Sequence, residues 1–169
     1  MYYALFTQMK KQLGQLDKWL ATAEAFATSK KIGDTVFATF RLAPDQFPLA
    51  KQVQTTCDTA KLAAARLTGK DAPSNADTET TLAELRARVA STVAFLDTLS
   101  ESDFAGAGER KVSQPRWEGK WMTGADYFLE HAVPNFFFHL THVYALLRHN
   151  GVEVGKRDYL GALNQRAPT

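Results

Sequence analysis

Histidines concentrate near the end of the sequence, where they lie at helical spacing. His131, Asn135 and His139 follow one another at four-residue intervals, and His142 comes three residues later. Side chains at i, i+4 and i+8 of an α-helix share one face, with a drift of about 40° per step. The neighbouring residues are mostly Phe and Leu, so we expect part of this row to face the interior or a cleft.

Such a row has three interpretations. Histidines inside a helical bundle can bind zinc or nickel, and His139 could do so with His142 or His131. Residue 135 argues against this because an asparagine amide is a poor ligand for these metals. The second interpretation is a metal-free polar pocket for a small molecule, and the third is core histidines that hydrogen-bond the backbone. We expect no metal and no other cofactor; His139 is the best single candidate ligand.

A charged pair lies before the second predicted helix. Arg41 and Asp45 bracket the sequence Leu-Ala-Pro. Their spacing allows either a local salt bridge that fixes this segment or a charged rim of a pocket. No catalytic residue is assigned, and the candidate pocket residues are His131, Asn135, His139, His142, Arg41 and Asp45.

Four amphipathic segments must position these residues. In each segment, apolar residues recur at three- and four-residue steps, which is the period of one helical face. This pattern predicts helices at about residues 2–28, 46–68, 81–99 and 123–149. Because no segment alternates convincingly as strands do, the chain is predicted to be all-α. We expect a single domain over residues 1–169, built as an up-and-down four-helix bundle.

Local signals support the helix starts. Thr81 and Glu84 have the spacing of a capping box at the third helix, and Thr123 with Asp126 repeats that spacing at the fourth. Asp45 is the candidate cap of the second helix. These positions predict where three of the four helices begin.

Two segments depart from this regular pattern. Residues 32–44 are too apolar for a free linker, so we predict a long crossover segment packed against the bundle. Pro134 lies inside the fourth helix, where proline removes the backbone hydrogen bond to the carbonyl of Glu130 and crowds it. We therefore predict a kink between Glu130 and Pro134.

Composition argues against several partners. The chain has 20 Lys and Arg against 18 Asp and Glu, and its net charge of +2 is too small for nucleic-acid binding. No stretch approaches 18 apolar residues, so we expect no membrane span. Cys57 is the single cysteine and is expected to be a small buried hydrophobe. A lone cysteine and the absence of a signal-peptide pattern predict a cytoplasmic protein.

Three stretches of the sequence resemble a known family. They are FRLAPDQFPL at residues 40–49, GADYFLEH at residues 124–131, and the run over residues 134–151. Together they are similar to an uncharacterised bacterial branch of the DinB/YfiT-like superfamily, over nearly the whole chain. The resemblance implies a four-helix bundle with a long crossover, often dimeric. It also implies a class of activity, because the superfamily members of known activity are metal-dependent thiol transferases or hydrolases.

The resemblance also implies where a metal would bind. Those members carry one His on the second helix and a His-x-x-x-His pair on the last. Alignment on the Leu-Arg-x-x-Gly ending of the last helix puts the second His of the pair on His139 and the first on Asn135. The other His falls near Gln54 or Thr55, in a part of the sequence that contains no histidine. Two of the three ligands are therefore absent.

We interpret the chain as a DinB-like helical bundle of unknown activity that lacks the usual three-His metal site. The interpretation includes a polar small-molecule pocket and a homodimer. One alternative is a metal-dependent transferase or hydrolase with atypical ligands. The other is a structural or regulatory dimer without a ligand site.

Overall fold

The structure is a computed structural model that describes residues 1–167, apart from the side chain of Asp34. Its helices in chain order are α1 (Tyr2–Lys30), α2 (Asp34–Ala38), α3 (Leu49–Thr68), α4 (Leu82–Asp97), α5 (Gly124–Asp126), a π-helical turn (Tyr127–Ala132), α6 (Val133–His149) and α7 (Lys156–Leu160). Between α4 and α5 lie 3₁₀ turns at Glu101–Phe104, Ala107–Glu109 and Pro115–Trp117, and the paired strands β1 (Lys111–Val112) and β2 (Met122–Thr123). We call α5, the π turn and α6 together the last helix. The predicted all-α bundle is confirmed.

Both predicted capping pairs are present. The Thr81 hydroxyl accepts a hydrogen bond from the backbone N–H of Glu84, whose carboxylate accepts one from the backbone N–H of Thr81. The Thr123 hydroxyl likewise accepts a hydrogen bond from the backbone N–H of Asp126. These bonds satisfy backbone donors that the first turn of a helix leaves without partners.

The predicted cap of the second long helix is wrong. This helix, α3, begins at Leu49, and its capping residue is Pro48, which makes no side-chain cap hydrogen bond. Asp45 lies in the preceding turn, where the backbone N–H of Gln46 donates to the carbonyl of Ala43. Because Pro48 holds an extended conformation directly before the helix, Asp45 is too far back along the chain to cap it.

Side-chain contacts between helices show which pairs of helices are antiparallel. Lys10, near the start of α1, forms an ion pair of 2.7 Å with Asp97 at the end of α4. Arg66, near the end of α3, donates to the hydroxyl of Tyr127 at the start of the π turn, at 2.9 Å. Thus α1 is antiparallel to α4, and α3 is antiparallel to the last helix.

The second and third long helices are parallel, which corrects the predicted up-and-down order. Lys70, just after α3, forms an ion pair of 2.7 Å with Asp103, which lies beyond the end of α4. Residues 69–81 return along α3, and their Asp77 pairs with Lys51 at 2.8 Å. A helix of 20 residues is about 30 Å long, which 13 extended residues can span. The four directions are therefore up, down, down and up.

The predicted crossover segment packs across one end of the bundle. It contains α2, which contacts α1, α3 and α4. Phe37 of α2 is fully buried, and its ring meets the rings of Phe26 and Phe40. Burial of these aromatic rings explains why the segment is too apolar for a free linker.

The core of the bundle includes Cys57, as predicted. Its side chain is fully buried, and this burial raises the pKa of the thiol to about 12. The thiol is therefore protonated at neutral pH and unreactive. Within residues 1–167, no helix is long and apolar enough to cross a membrane.

A π-helical turn lies where the kink was predicted. It ends at Ala132, two residues before Pro134. In a π turn each N–H bonds to the carbonyl five residues back, so the helix holds one extra residue per turn there. The irregularity is therefore a π turn next to proline instead of a simple proline break, and His131 lies within it.

Candidate functional site

A cavity of about 360 Å³ lies between α3 and the last helix. Residues of α3 on its wall include Thr55, Thr59 and Arg66, and those of the last helix include His131, Asn135 and His139. A neighbouring cavity of about 390 Å³ also touches these last three residues. The structure thus brings together three of the predicted pocket residues; their role stays a prediction.

His139 is held by the second long helix. Its Nδ1 lies 2.7 Å from Oε1 of Gln52, while Nε2 of Gln52 donates to the carbonyl of Phe47 at 3.3 Å. Since that carbonyl requires the amide nitrogen, Oε1 must accept from His139, and the imidazole proton is on Nδ1. The ring of Phe47 stacks on the imidazole, with centroids 6.1 Å apart. Nε2 of His139 is left with its lone pair.

The neutral state of His139 leads to a prediction about acid. Burial, with a smaller effect of His142, lowers the pKa of His139 from 6.5 to about 4. Between these values the unfolded chain binds more protons, so this group makes the protein less stable as pH falls from about 6.5 to about 4. We expect His139→Gln to reduce this loss in urea unfolding at pH 7 and pH 4.5.

An imidazole titration by nuclear magnetic resonance checks the same prediction, with an expected midpoint for His139 near 4. His149→Gln, at the exposed end of α6, is the matched control for removing one histidine. A midpoint near 6.5 for His139 contradicts the prediction, as does an equal effect of the two variants on the acid loss.

Asn135 also faces α3. Its side-chain nitrogen donates to the hydroxyl of Thr59 at 2.7 Å, and this hydroxyl donates to the backbone carbonyl of Thr55 at 2.7 Å. The amide is therefore oriented by a chain of hydrogen bonds that joins the two helices.

His131 contacts the loop before the last helix. Its Nε2 lies 2.5 Å from a guanidinium nitrogen of Arg116. Because a guanidinium only donates, Nε2 accepts and the imidazole proton is on Nδ1. The ring stacks on Tyr127, with centroids 5.4 Å apart. Burial, then the charges of Arg116 and Arg66, lower the pKa of His131, so the imidazole is neutral at pH 7.

Two arginines give the cavity a positive charge. Arg66 lies over the ring of Tyr127, 5.7 Å from its centroid, and donates to the Tyr127 hydroxyl. In the part of the chain that the structure describes, neither Arg66 nor Arg116 forms an ion pair with a carboxylate. Asp58 also lines the cavity, but it pairs with Lys61 and with a buried arginine of α4, each at 2.8 Å.

Three predicted pocket residues lie elsewhere. Nδ1 of His142 donates to the carbonyl of Phe138 on its own helix at 2.7 Å, and His142 does not line the cavity. Arg41 donates to the carbonyl of Gln46 and lines a separate cavity of about 540 Å³. No ion pair joins Arg41 to Asp45 among the described residues; the Arg41 guanidinium donates to the Gln46 carbonyl instead.

The side chains at the cavity do not fit the metal site that the resemblance implies. Zinc and nickel sites use imidazoles, thiolates and carboxylates, and three protein ligands are usual for zinc at a catalytic site. Next to His139 the wall offers the amide of Asn135 and the hydroxyl of Thr59, while Gln54 faces away and donates to Glu79. Among the side chains that the structure describes, no group of three His, Cys, Asp or Glu residues could hold a metal ion.

Sequence reasoning missed the two arginines and Gln114. Arg66 carried a usable signal, because Thr55, Thr59 and Arg66 lie at helical steps on one face of α3. Arg116 and Gln114 carried none, because they belong to a short loop whose path depends on its contacts with the last helix.

Comparisons with known proteins agree with this fold. The family model described as Domain of unknown function (DUF1993) matches residues 1–160. A crystal structure of a DinB family member from Shewanella denitrificans is 53% identical in sequence, with a TM-score of 0.95. The similarity covers 99% of this chain and 96% of that chain. No curated protein matches the chain. The resemblance to DinB-like proteins of unknown function is confirmed.

Proposed function

The chain belongs to the DUF1993 family of DinB-like proteins, and we propose that it binds a small organic molecule without a metal ion. The binding site is the cavity between α3 and the last helix. The observation that carries the proposal is the meeting of three polar side chains on one cavity wall: His131, Asn135 and His139.

The setting of these side chains supports binding. Each is oriented by a hydrogen bond with a residue of another element: His139 donates to Gln52, Asn135 donates to Thr59, and His131 accepts from Arg116 of the loop. Oriented polar groups in a largely apolar cavity are typical of small-molecule sites. A volume of about 360 Å³ suits a molecule of a few tens of atoms at most.

The two alternatives have less support. A metal-dependent transferase or hydrolase would need ligands beyond His139, and the residues beside it are an amide and a hydroxyl. A dimer without a ligand site would not explain why the polar groups on the cavity wall are oriented.

The expected homodimer is compatible with a ligand site. Light scattering tests it, and a mass near that of one chain would contradict it.

A titration with small organic fragments tests the pocket. Amide spectra by nuclear magnetic resonance are expected to shift for Thr59, Asn135 and His139, while Arg157 on the distant α7 stays unchanged. Asn135→Leu, which removes the amide at similar volume, should weaken binding of the fragments found. Failure of every fragment in a broad set to shift the cavity residues would sink the proposal.

Elemental analysis tests the absence of a metal. Protein purified without a metal-affinity tag is expected to hold zinc and nickel only far below one ion per chain. Stoichiometric metal that disappears in His139→Ala would overturn the metal-free proposal and favour the transferase or hydrolase.

A further inference from the structure

We propose that the ligand is a small organic anion, a carboxylate or a phosphate ester, and that Arg66 and Arg116 hold its charged group. This inference rests on the proposed function and adds the chemical class of the ligand. It concerns the part of the cavity formed by the end of α3, the π turn and the loop before the last helix.

The charges on the cavity wall support an anion. Arg66 uses one of its five N–H donors in the hydrogen bond to the Tyr127 hydroxyl, and Arg116 contacts the neutral His131. Neither arginine meets any carboxylate whose position the structure describes. Asp58 is the acidic residue on the wall, and it is already paired with Lys61 and with the buried arginine of α4. Two guanidiniums without acidic partners, at one cavity, form the arrangement that binds carboxylate and phosphate groups.

Polar atoms without partners support the same ligand class. The Nδ1–H of His131 and the side-chain nitrogen of Gln114 are both buried and have no hydrogen-bond partner in the described part of the chain. Both residues line the cavity. A buried donor without an acceptor costs free energy. An acceptor-rich ligand would relieve that cost after a small rotation that turns the donor from its buried position toward the cavity.

The rest of the wall is suited to the organic part of the ligand. Phe47, Leu62 and Pro115 add apolar surface to the same cavity. An aromatic or aliphatic anion would place its apolar part against these residues and its charge between the two arginines. A bare inorganic ion would leave that apolar surface unused.

Three probes of similar shape test the charge preference: benzoate, phenyl phosphate and the neutral benzamide. Binding is measured by the shifts of the cavity amides in nuclear magnetic resonance. We expect one or both anions to bind roughly 10- to 100-fold more tightly than benzamide, the factor that charge-assisted hydrogen bonds give. The ratio of the two anion affinities decides between a carboxylate and a phosphate ligand.

Variants of the arginines complete the test. Arg116→Gln, in an exposed loop position, and Arg66→Gln are each expected to remove most of the preference for the anions. Arg66→Lys keeps the charge but lacks the planar guanidinium, so its preference for the anions should lie between those of the unmodified protein and Arg66→Gln. Arg157→Gln on α7 makes the same change of charge away from the cavity, and we expect it to leave the preference unchanged.

The outcomes separate this inference from the proposed function. If benzamide binds as tightly as the anions, or if the arginine variants leave the preference intact, the anion inference is wrong while the pocket stands. If neutral fragments occupy the cavity and the anions do not, the result is the same. If no fragment and no anion shifts the cavity residues, both proposals fail.

Discussion

Replacing Arg88 with Met is expected to lower the free energy of unfolding by about 3–5 kcal/mol, the usual effect of removing one partner from a buried charge cluster. The Arg88 side chain is only 1% exposed, although it carries a full charge. Its guanidinium lies 2.8 Å from Asp58, 2.9 Å from Glu79 and 3.1 Å from Asp77.

The large effect comes from the carboxylates that the variant leaves behind. Asp58 belongs to α3, whereas Asp77 and Glu79 belong to the connection that returns along α3. Arg88 therefore joins α4 to α3 and also holds the return connection in place. Without it, three carboxylates face one another with fewer cations between them. Asp58 would keep Lys61 as its one partner and would carry more negative charge toward the cavity, so we expect weaker anion binding in the same variant.

Arg86→Met is the matched control. Arg86 lies two residues earlier in α4 and also meets two carboxylates, Asp17 at 2.8 Å and Glu24 at 2.9 Å. Its side chain is 37% exposed, so water compensates for the lost pairs and we expect a loss below about 1 kcal/mol. Urea unfolding followed by circular dichroism measures both variants. Equal losses would show that burial does not set the strength of the Arg88 cluster.

The same cluster explains what the sequence could not predict about the fold. Apolar periodicity and the pairs at Thr81 and Thr123 are local signals, and they located the helices because helix formation and capping depend on near neighbours. The parallel order of α3 and α4 depends on residues 69–81. Their composition marks a loop, but their path is set by the pairing of Asp77 and Glu79 with distant cations.

The candidate site, too, was predictable from the sequence only where local spacing determines the position of a residue. His131, Asn135 and His139 could be found because their spacing places them on one helical face, and all three line the cavity. His142 fits the spacing equally well, but a hydrogen bond to its own helix keeps it off that wall. Arg116 is predictable only from tertiary structure, because the loop that carries it is ordered against the last helix.

Gly124→Ala is expected to lower the free energy of unfolding by about 3 kcal/mol, which is at the upper end for overpacking. A Cβ atom at this position would lie 1.9 Å from the backbone oxygen of Ala107 and 3.0 Å from a methyl carbon of Leu67. The nearest atom belongs to buried backbone, which cannot rotate away as a side chain can. Relief therefore requires moving the start of the last helix. Tyr127 and His131 follow on that helix, so their resonances should shift as well.

Gly14→Ala is the same substitution, but we expect it to raise the free energy of unfolding. Gly14 lies inside α1, and a Cβ there would meet nothing within 4 Å. Because alanine is the better helix former, we expect a gain of about 0.5–1 kcal/mol. Unfolding of both variants in urea tests the pair. If Gly124→Ala also raised stability, the close approach of the last helix to Ala107 would be wrong, and with it the anchoring of the π turn that carries His131.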